Sequence, residues 1–401
     1  MSEEKQTNKQ EVIKIETTNK EENRFSRFEL IRWWDQKRLA EAKILVVGAG
    51  ALGNEIIKNL ALMGVGNVLV VDFDTIEPSN LARSVLFRER DRGRYKAEVA
   101  VERALDIYPG MKIKALYANA VTGLGLGVYD WADVILGGLD NREARLSINR
   151  NAFKVGKTWI DGAIEVLSGV ARVFSPDGPC YECTMSETDW KVLEARKSCT
   201  LLTKNEMLSG KTPTTPTIAS MIASIQCQEA LKHLHGLETI AGKGFIYDGL
   251  YFYHDLIGYK RKEDCYSHES YLPITYIDES ASKLTLGNAL KIVRKDLGEN
   301  AEIEIRQEVI TGFSCYNCGI ESEYHAALGD ASEKDAICPK CGKQRFPILS
   351  HRFDGTEKYQ DKTLAELAVP AFDVFIGKNG SERKHYLLNG DRNEILGNLD
   401  K

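Results

Sequence analysis

The chain lacks any apolar run approaching the roughly 20 residues that a membrane-spanning helix needs. Its opening residues are polar and charged rather than arranged as a signal peptide. It has no basic excess either: 53 Lys and Arg against 58 Asp and Glu leave a formal charge of -5, which gives no general field for nucleic acid. No internal repeat stands out, so nothing argues for a solenoid. These absences point to a cytoplasmic globular protein that works neither in a membrane nor on nucleic acid. In that compartment the nine cysteines do not count disulfides. Six of them fall in Cys-x2-Cys pairs, which points to metal.

The length of 401 residues suits two or three domains. Residues 1–23 mix Lys, Glu, Thr, Asn and Gln with few apolar positions, and are expected to be a disordered lead-in. From Arg24 the stretch RFSRFELIRWWDQKRLAEAK reads as a helix, with Phe28, Ile31, Trp34 and Leu39 toward a sheet. KILVVGAGALG follows. An apolar strand ends in glycines at 48, 50 and 53, and a helix from Asn54 to Met63 stops at Gly64. A second strand, Val68 to Val71, then ends at Asp72. Strand, glycine turn, helix, strand and acidic residue form a nucleotide-binding unit, in which bare amides at a helix N-terminus meet phosphate.

Further along, 96–107 and 141–155 read as helices, and 113–116, 132–136, 159–163, 169–174 and 244–247 as strands. Asp140 stands at the carboxyl end of a strand, where open α/β sheets bind ligands. Thr215 and Pro216 open a strong helix that Gly236 ends. The fold class expected is α/β: a Rossmann-like domain over 24–268 with a mostly parallel sheet, followed by a smaller α+β module over 269–401. In the module, 274–277 and 301–305 read as strands around a helix ending at Gly298, and a last helix and strand fall between Thr363 and Ile376.

Cys315-x2-Cys318 and Cys338-x2-Cys341, about 19 residues apart, have the spacing of a zinc ribbon occupying 311–350. Four thiolates would close the tetrahedron, so the site is structural. Cys180-x2-Cys183 needs two more ligands, and Cys265-x2-His268 supplies them at matching spacing. Cys199 lies in a polar stretch with Arg196, Lys197 and Lys204, cations that would raise its thiolate fraction. A partly buried loop cysteine is the alternative there.

Together, GAGALG, the acidic pair Asp72 and Asp74 in DFD, SNLAR, GRYK, LDN (Asp140 and Asn141) and PCYEC resemble ubiquitin-activating enzymes and the bacterial enzymes that adenylate sulfur-carrier proteins. The resemblance covers about residues 24–268. It implies adenylation of a protein's C-terminal carboxylate by ATP and Mg²⁺. Asp72 would take the ribose, Asn80, Arg83 and Lys96 the phosphates, and Asp140 the Mg²⁺. Arg27 matches an arginine that in the family reaches into the partner protomer's site, which implies a homodimer. Cys199 resembles the thioester cysteine of the activating enzymes, which implies a ubiquitin-like protein with an exposed C-terminal glycine and a conjugating enzyme as partners. The C-terminal third lacks a recognisable rhodanese-like loop and resembles the extra domain of bacterial activating enzymes found with ubiquitin-like conjugation systems. That reading is preferred over sulfur-carrier adenylation, adenylation of another carboxylate, and a non-catalytic scaffold.

Overall fold

The computed structural model describes residues 22–191, 213–328 and 330–400. The disordered lead-in expected over 1–23 therefore lies outside the described residues, Glu22 and Asn23 excepted.

Five parallel strands form the heart of the larger sheet: β1 (Lys43–Val47), β2 (Asn67–Val71), β3 (Lys112–Leu116), β4 (Val134–Gly137) and β5 (Thr158–Glu165). Three antiparallel strands extend it: β6 (Ser168–Phe174), β7 (Lys243–Asp248) and β8 (Tyr253–Gly258). The order is β3-β2-β1-β4-β5-β6-β7-β8. The direction of the chain across the sheet reverses between β1 and β4, the switch at which such sheets open a crevice.

β1 and β2 are unbroken apolar runs because both of their faces are covered. Ile44, Val46, Val68 and Val70 pack under α2 (Ala51–Met63), α3 (Lys96–Ile107) and a later helix, Pro216–Leu234. Leu45, Val47, Leu69 and Val71 pack on the other face with α4 (Leu126–Trp131) and α5 (Arg142–Lys154). The short α6 (Tyr181–Thr184) joins that second layer, and Pro216–Leu234 is α7.

The C-terminal unit contains β9 (Ile274–Ile277), α8 (Leu286–Leu297), β10 (Glu302–Ser314), β11 (Glu321–Ala327), β12 (Phe346–Phe353), β13 (Val374–Asn379), β14 (Glu382–Leu388) and α9 (Arg392–Leu396). Its sheet runs β11-β10-β13-β14-β9, with β12 along the other side of β10. α8 covers one face and closes a core of its own with Ile303, Ile305, Phe353 and Phe375. From the opposite side Phe372, Val374, Ile376, Leu387 and Leu396 enter the same core as Tyr129, Trp131 and Trp159. The unit is thus part of the layer that covers the main sheet.

A buried ionic knot fastens the two parts. Arg306 on β10 donates to Asp373 Oδ1 at 2.7 Å, Asn151 Oδ1 at 2.8 Å and the Leu124 carbonyl at 3.1 Å, while Asp373 also accepts the Leu126 amide at 2.8 Å. Removing one member would strand the others in a low-dielectric site.

Two sequence expectations fail. The single helix over 24–43 is instead a 3-10 turn, Phe28–Leu30, and a separate α1, Gln36–Glu41. Asp35 caps the second piece by accepting the Arg38 amide, and Phe28 packs on Trp34 at 4.4 Å rather than on the sheet. The helix expected after Thr363 is a series of turns. Pro370 sits there, and Ala368 and Phe372 take positive φ of 59° and 58°, conformations a helix cannot hold.

Candidate functional site

Three loops meet at the carboxyl edge of the parallel strands. The first is the glycine turn between β1 and α2. Gly48 has φ 96°, and a Cβ there would come within 2.5 Å of the Gly138 carbonyl oxygen. A Cβ on Gly53 would come within 1.9 Å of the Gly48 carbonyl oxygen. Both glycines are therefore demanded by the turn itself. Gly50 is different: it caps α2, and a Cβ there would meet nothing within 4 Å. Its side of the turn is open, at the positive end of a 13-residue helix.

The second loop follows β2. Asp72 Oδ2 accepts the Ala49 amide at 2.7 Å, and its Oδ1 accepts the Asp74 amide at 2.8 Å. The acidic residue at the end of β2 thus pins the glycine turn directly. Desolvation raises its pKa above the ordinary carboxylate value, against lowering by Lys96 and by the two amides. Asp74 in turn receives Lys96 Nζ at 2.8 Å, from the first residue of α3. Asn80 is buried and accepts the Glu77 amide at 2.9 Å, closing a short turn that presents Arg83. That segment is tied to α2 as well: Asn54 Oδ1 accepts the Leu86 amide at 2.9 Å, while its Nδ2 donates to the carbonyls of Ala49 and Gly50.

The third loop follows β4. Gly138 and Leu139 lie against Gly48, which brings Asp140 to the glycine turn. Asp140 is exposed, and its Oδ1 accepts from Asn141 Nδ2 at 3.5 Å. Such a carboxylate is free to take a hard cation, so its chemistry fits Mg²⁺. Asn141 has a second task, since its Oδ1 accepts the Ala144 amide at 2.7 Å and caps α5.

Below this loop lies a network the sequence did not disclose. Asp161 on β5 is fully buried and bridges Arg145 Nε and Arg172 Nε, each at 3.0 Å. Arg145 also donates to the carbonyls of Leu139 and Gly162, so the residue before Asp140 is held by a buried guanidinium. Gln226 of α7 similarly donates to the Gly137 carbonyl at 2.8 Å. The partners are 11, 16 and 89 residues apart, and only the sheet register brings them together. The one sequence clue was an arginine one helical turn after Asn141.

Arg27 projects into solvent near Glu22, at 3.9 Å, and among the described residues makes no hydrogen bond or ion pair with the three loops. Cys199, with Arg196, Lys197, Thr200 and Lys204, lies outside the described residues.

Both proposed metal clusters are assembled. Within each, the four ligand atoms lie within 4.8 Å of one another. In the buried cluster Cys180 Sγ is 3.6 Å from Cys183 Sγ and 3.5 Å from Cys265 Sγ, and Cys183 Sγ is 3.4 Å from His268 Nε2. In the other, Cys315 and Cys341 are 3.5 Å apart, as are Cys318 and Cys338. Three thiols with an imidazole, and four thiols, are donor sets that suit a tetrahedral zinc with no open position.

The model of the ThiF family matches residues 22–267. The chain is 32% identical over 222 residues to a protein of Mycobacterium tuberculosis named probable adenylyltransferase/sulfurtransferase MoeZ, covering 54% of this chain and 53% of that one. It is 31% identical to the SAMP-activating enzyme E1 of Haloferax volcanii, covering 57% of this chain and 81% of that one. To the sulfur carrier protein adenylyltransferase of Thermus thermophilus it is 32% identical, covering 54% and 78%. The chain thus spans only about half the length of MoeZ but most of the latter two. Among solved structures, MccB of E. coli crystallised with ATP superposes with a TM-score of 0.51 at 21% identity, over 62% of this chain and 75% of that one. At that identity the likeness is one of fold.

Proposed function

The chain belongs to the ThiF family, and from that premise we propose that it adenylates the C-terminal carboxylate of a small protein. In this reading ATP lies across the glycine turn, with its ribose at Asp72 and its phosphates against the α2 amides, Asn80, Arg83 and Lys96. The carrier's carboxylate attacks the α-phosphorus. The bond from that phosphorus to the bridging oxygen breaks, and pyrophosphate leaves with the electron pair. Arg83 and Lys96 offset the charge that builds on the phosphate oxygens. Asp140 would hold Mg²⁺, which supplies further charge neutralisation when bound. Lys96 has to leave Asp74 to reach a phosphate, and Asp74 is half exposed on its side chain, so water can solvate it.

The observation that supports this best is the meeting of the three loops at the N-terminus of α2, with an open flank at Gly50 and a free carboxylate at Asp140. A hydride-transfer enzyme has no use for Arg83, Lys96 and Asp140 together. Among possible substrates we favour a ubiquitin-like modifier, which Cys199 would carry as a thioester before transfer to a conjugating enzyme. The attack of the Cys199 thiolate on the acyl adenylate would release AMP. A sulfur-carrier protein is the second reading, favoured by the relatives named for that activity. A homodimer with Arg27 contributed across the interface belongs to the same proposal.

The test is ATP to pyrophosphate exchange with purified β-grasp proteins ending in glycine. Asp140→Ala is expected to lower exchange at least about 100-fold. Cys199→Ala should keep exchange but lose a reductant-sensitive adduct with the modifier. Exchange without any adduct in the wild type turns the assignment to sulfur-carrier activation, and no exchange with any such protein overturns the adenylation reading.

A further inference from the structure

Asn149, midway along α5, has a fully buried side chain. Its Oδ1 accepts the Trp159 indole N–H at 3.1 Å and the Tyr181 amide at 2.8 Å. Two donors on one atom fix which end of the amide is oxygen. The other end, Nδ2, is sealed from solvent and has no hydrogen-bond partner among the described residues. An idle buried amide costs about 1–3 kcal/mol, so its persistence calls for an acceptor.

The bond to the Tyr181 amide sets the side chain beside Cys180, the first ligand of the buried cluster. Nδ2 is the end of that side chain left to face the cluster, since Oδ1 is taken by Trp159 and Tyr181. A neutral thiol accepts hydrogen bonds poorly. A metal-bound thiolate carries the charge that makes it a good acceptor. The neighbouring sulfur follows the same pattern, since Cys183 Sγ already faces the Lys262 amide at 3.4 Å.

We infer that Asn149 is a positioning residue of the buried metal centre, donating from Nδ2 to the Cys180 thiolate once the cluster holds zinc. It fills the outer sphere of the ion and bolts the centre to α5. The inference rests on the metal reading of Cys180, Cys183, Cys265 and His268, and nothing else in the adenylation proposal depends on it.

Asn149→Asp separates this role from a purely structural one. The carboxylate keeps an oxygen for Trp159 and Tyr181 and replaces only the donor, setting a negative oxygen against the thiolate. The measurement is transfer of zinc from the full-length protein to 4-(2-pyridylazo)resorcinol. The wild type should release two zincs per chain. In Asn149→Asp one of them should leave 10- to 100-fold faster, and the ribbon zinc at its original rate. Unchanged release of both zincs from the variant overturns the role of Asn149. One zinc per wild-type chain overturns the metal reading and the inference with it. If the variant does not fold, wild-type protein loaded with cadmium-113 and labelled with nitrogen-15 asparagine decides the matter. A scalar coupling between cadmium and the Asn149 side-chain amide proton supports the inference, and its absence sinks it.

Discussion

The two cysteine clusters use the same local device, two pairs of ligands spaced by two residues, yet they stand in opposite surroundings. The buried cluster links residues 85 apart in sequence and sits in the core shared by the main sheet and the C-terminal unit. The ribbon cluster spans 26 residues at the end of an arm whose core is Ile310, Phe313 and Ala336 with a few partners. Loop-closure entropy differs little between those spans. What differs is the structure that depends on each. Around the buried cluster, desolvation raises Cys180 and Cys265, so the charge of a bound ion is needed to keep them as thiolates. In the ribbon, the Cys341 amide and other backbone donors pull Cys338 down to about 6, while Cys318 is pushed up to about 12 by hydrogen bonding to Cys315. One cluster is a staple through a domain and the other shapes a knuckle.

The sharpest way to break that contrast is to cut the protein-only fastening beside the staple. Arg306→Ala leaves Asp373 buried without its cation, and should cost about 3–5 kcal/mol in urea unfolding followed by tryptophan fluorescence. A much smaller loss would mean that the metal carries the joint. Cys183→Ser comes next. It should lower the main unfolding transition by about 2–4 kcal/mol, whereas Cys338→Ser should leave that transition within about 0.5 kcal/mol and melt only the arm. Equal effects of the two serine variants would mean that the two clusters support the fold alike.

The smallest expected effect concerns Lys154, the last residue of α5. Its ammonium lies 4.7 Å from the Tyr271 ring centre, and Tyr271 stacks on His385 of β14 at 4.2 Å. Burial, reinforced by Arg306 and Arg150, lowers its pKa to about 8 from 10.5. The folded value is below the unfolded one, so between those values the unfolded chain binds more protons and stability rises with pH. Below pH 8 the full penalty is present. Lys154→Met should remove the rise between pH 8 and 10.5, and should add up to about 2–3 kcal/mol at pH 7. A wild-type stability that is flat through that window would show that the ammonium finds water.

The comparison also explains what could be read in advance. Both clusters were legible, because ligand spacing is a local property and Cys265-x2-His268 matched the pair left without partners. α3 was placed at its observed ends, 96–107, since an amphipathic period and a sheet on one side agree. The parallel strands were visible as apolar runs because both faces are covered. β8 escaped notice because all six of its residues are exposed, and a strand at a sheet edge carries no burial alternation. β14 was missed as well, with Glu382 to His385 polar and only Tyr386 to Leu388 buried. Of the candidate site, the glycines and the charged residues that the three loops bring together were picked out by motif. Asp161, Arg172 and Gln226 were not, since their partners are set by strand register and helix docking.

One helix deserves to be considered as a mechanical part. Along α5 each turn is fixed to something different: the Asp140 loop at its cap, the buried guanidinium network at Arg145, the backbone beside Cys180 at Asn149, the C-terminal unit at Asn151, and the Tyr271 stack at Lys154. Such a rod cannot shift at one end alone. A tilt of the C-terminal unit would be passed along the rod to the loop that carries Asp140. Couplings of this kind amount to about 1–3 kcal/mol. The Asp140 loop and the C-terminal unit are then separated by the length of a single helix, thirteen residues long.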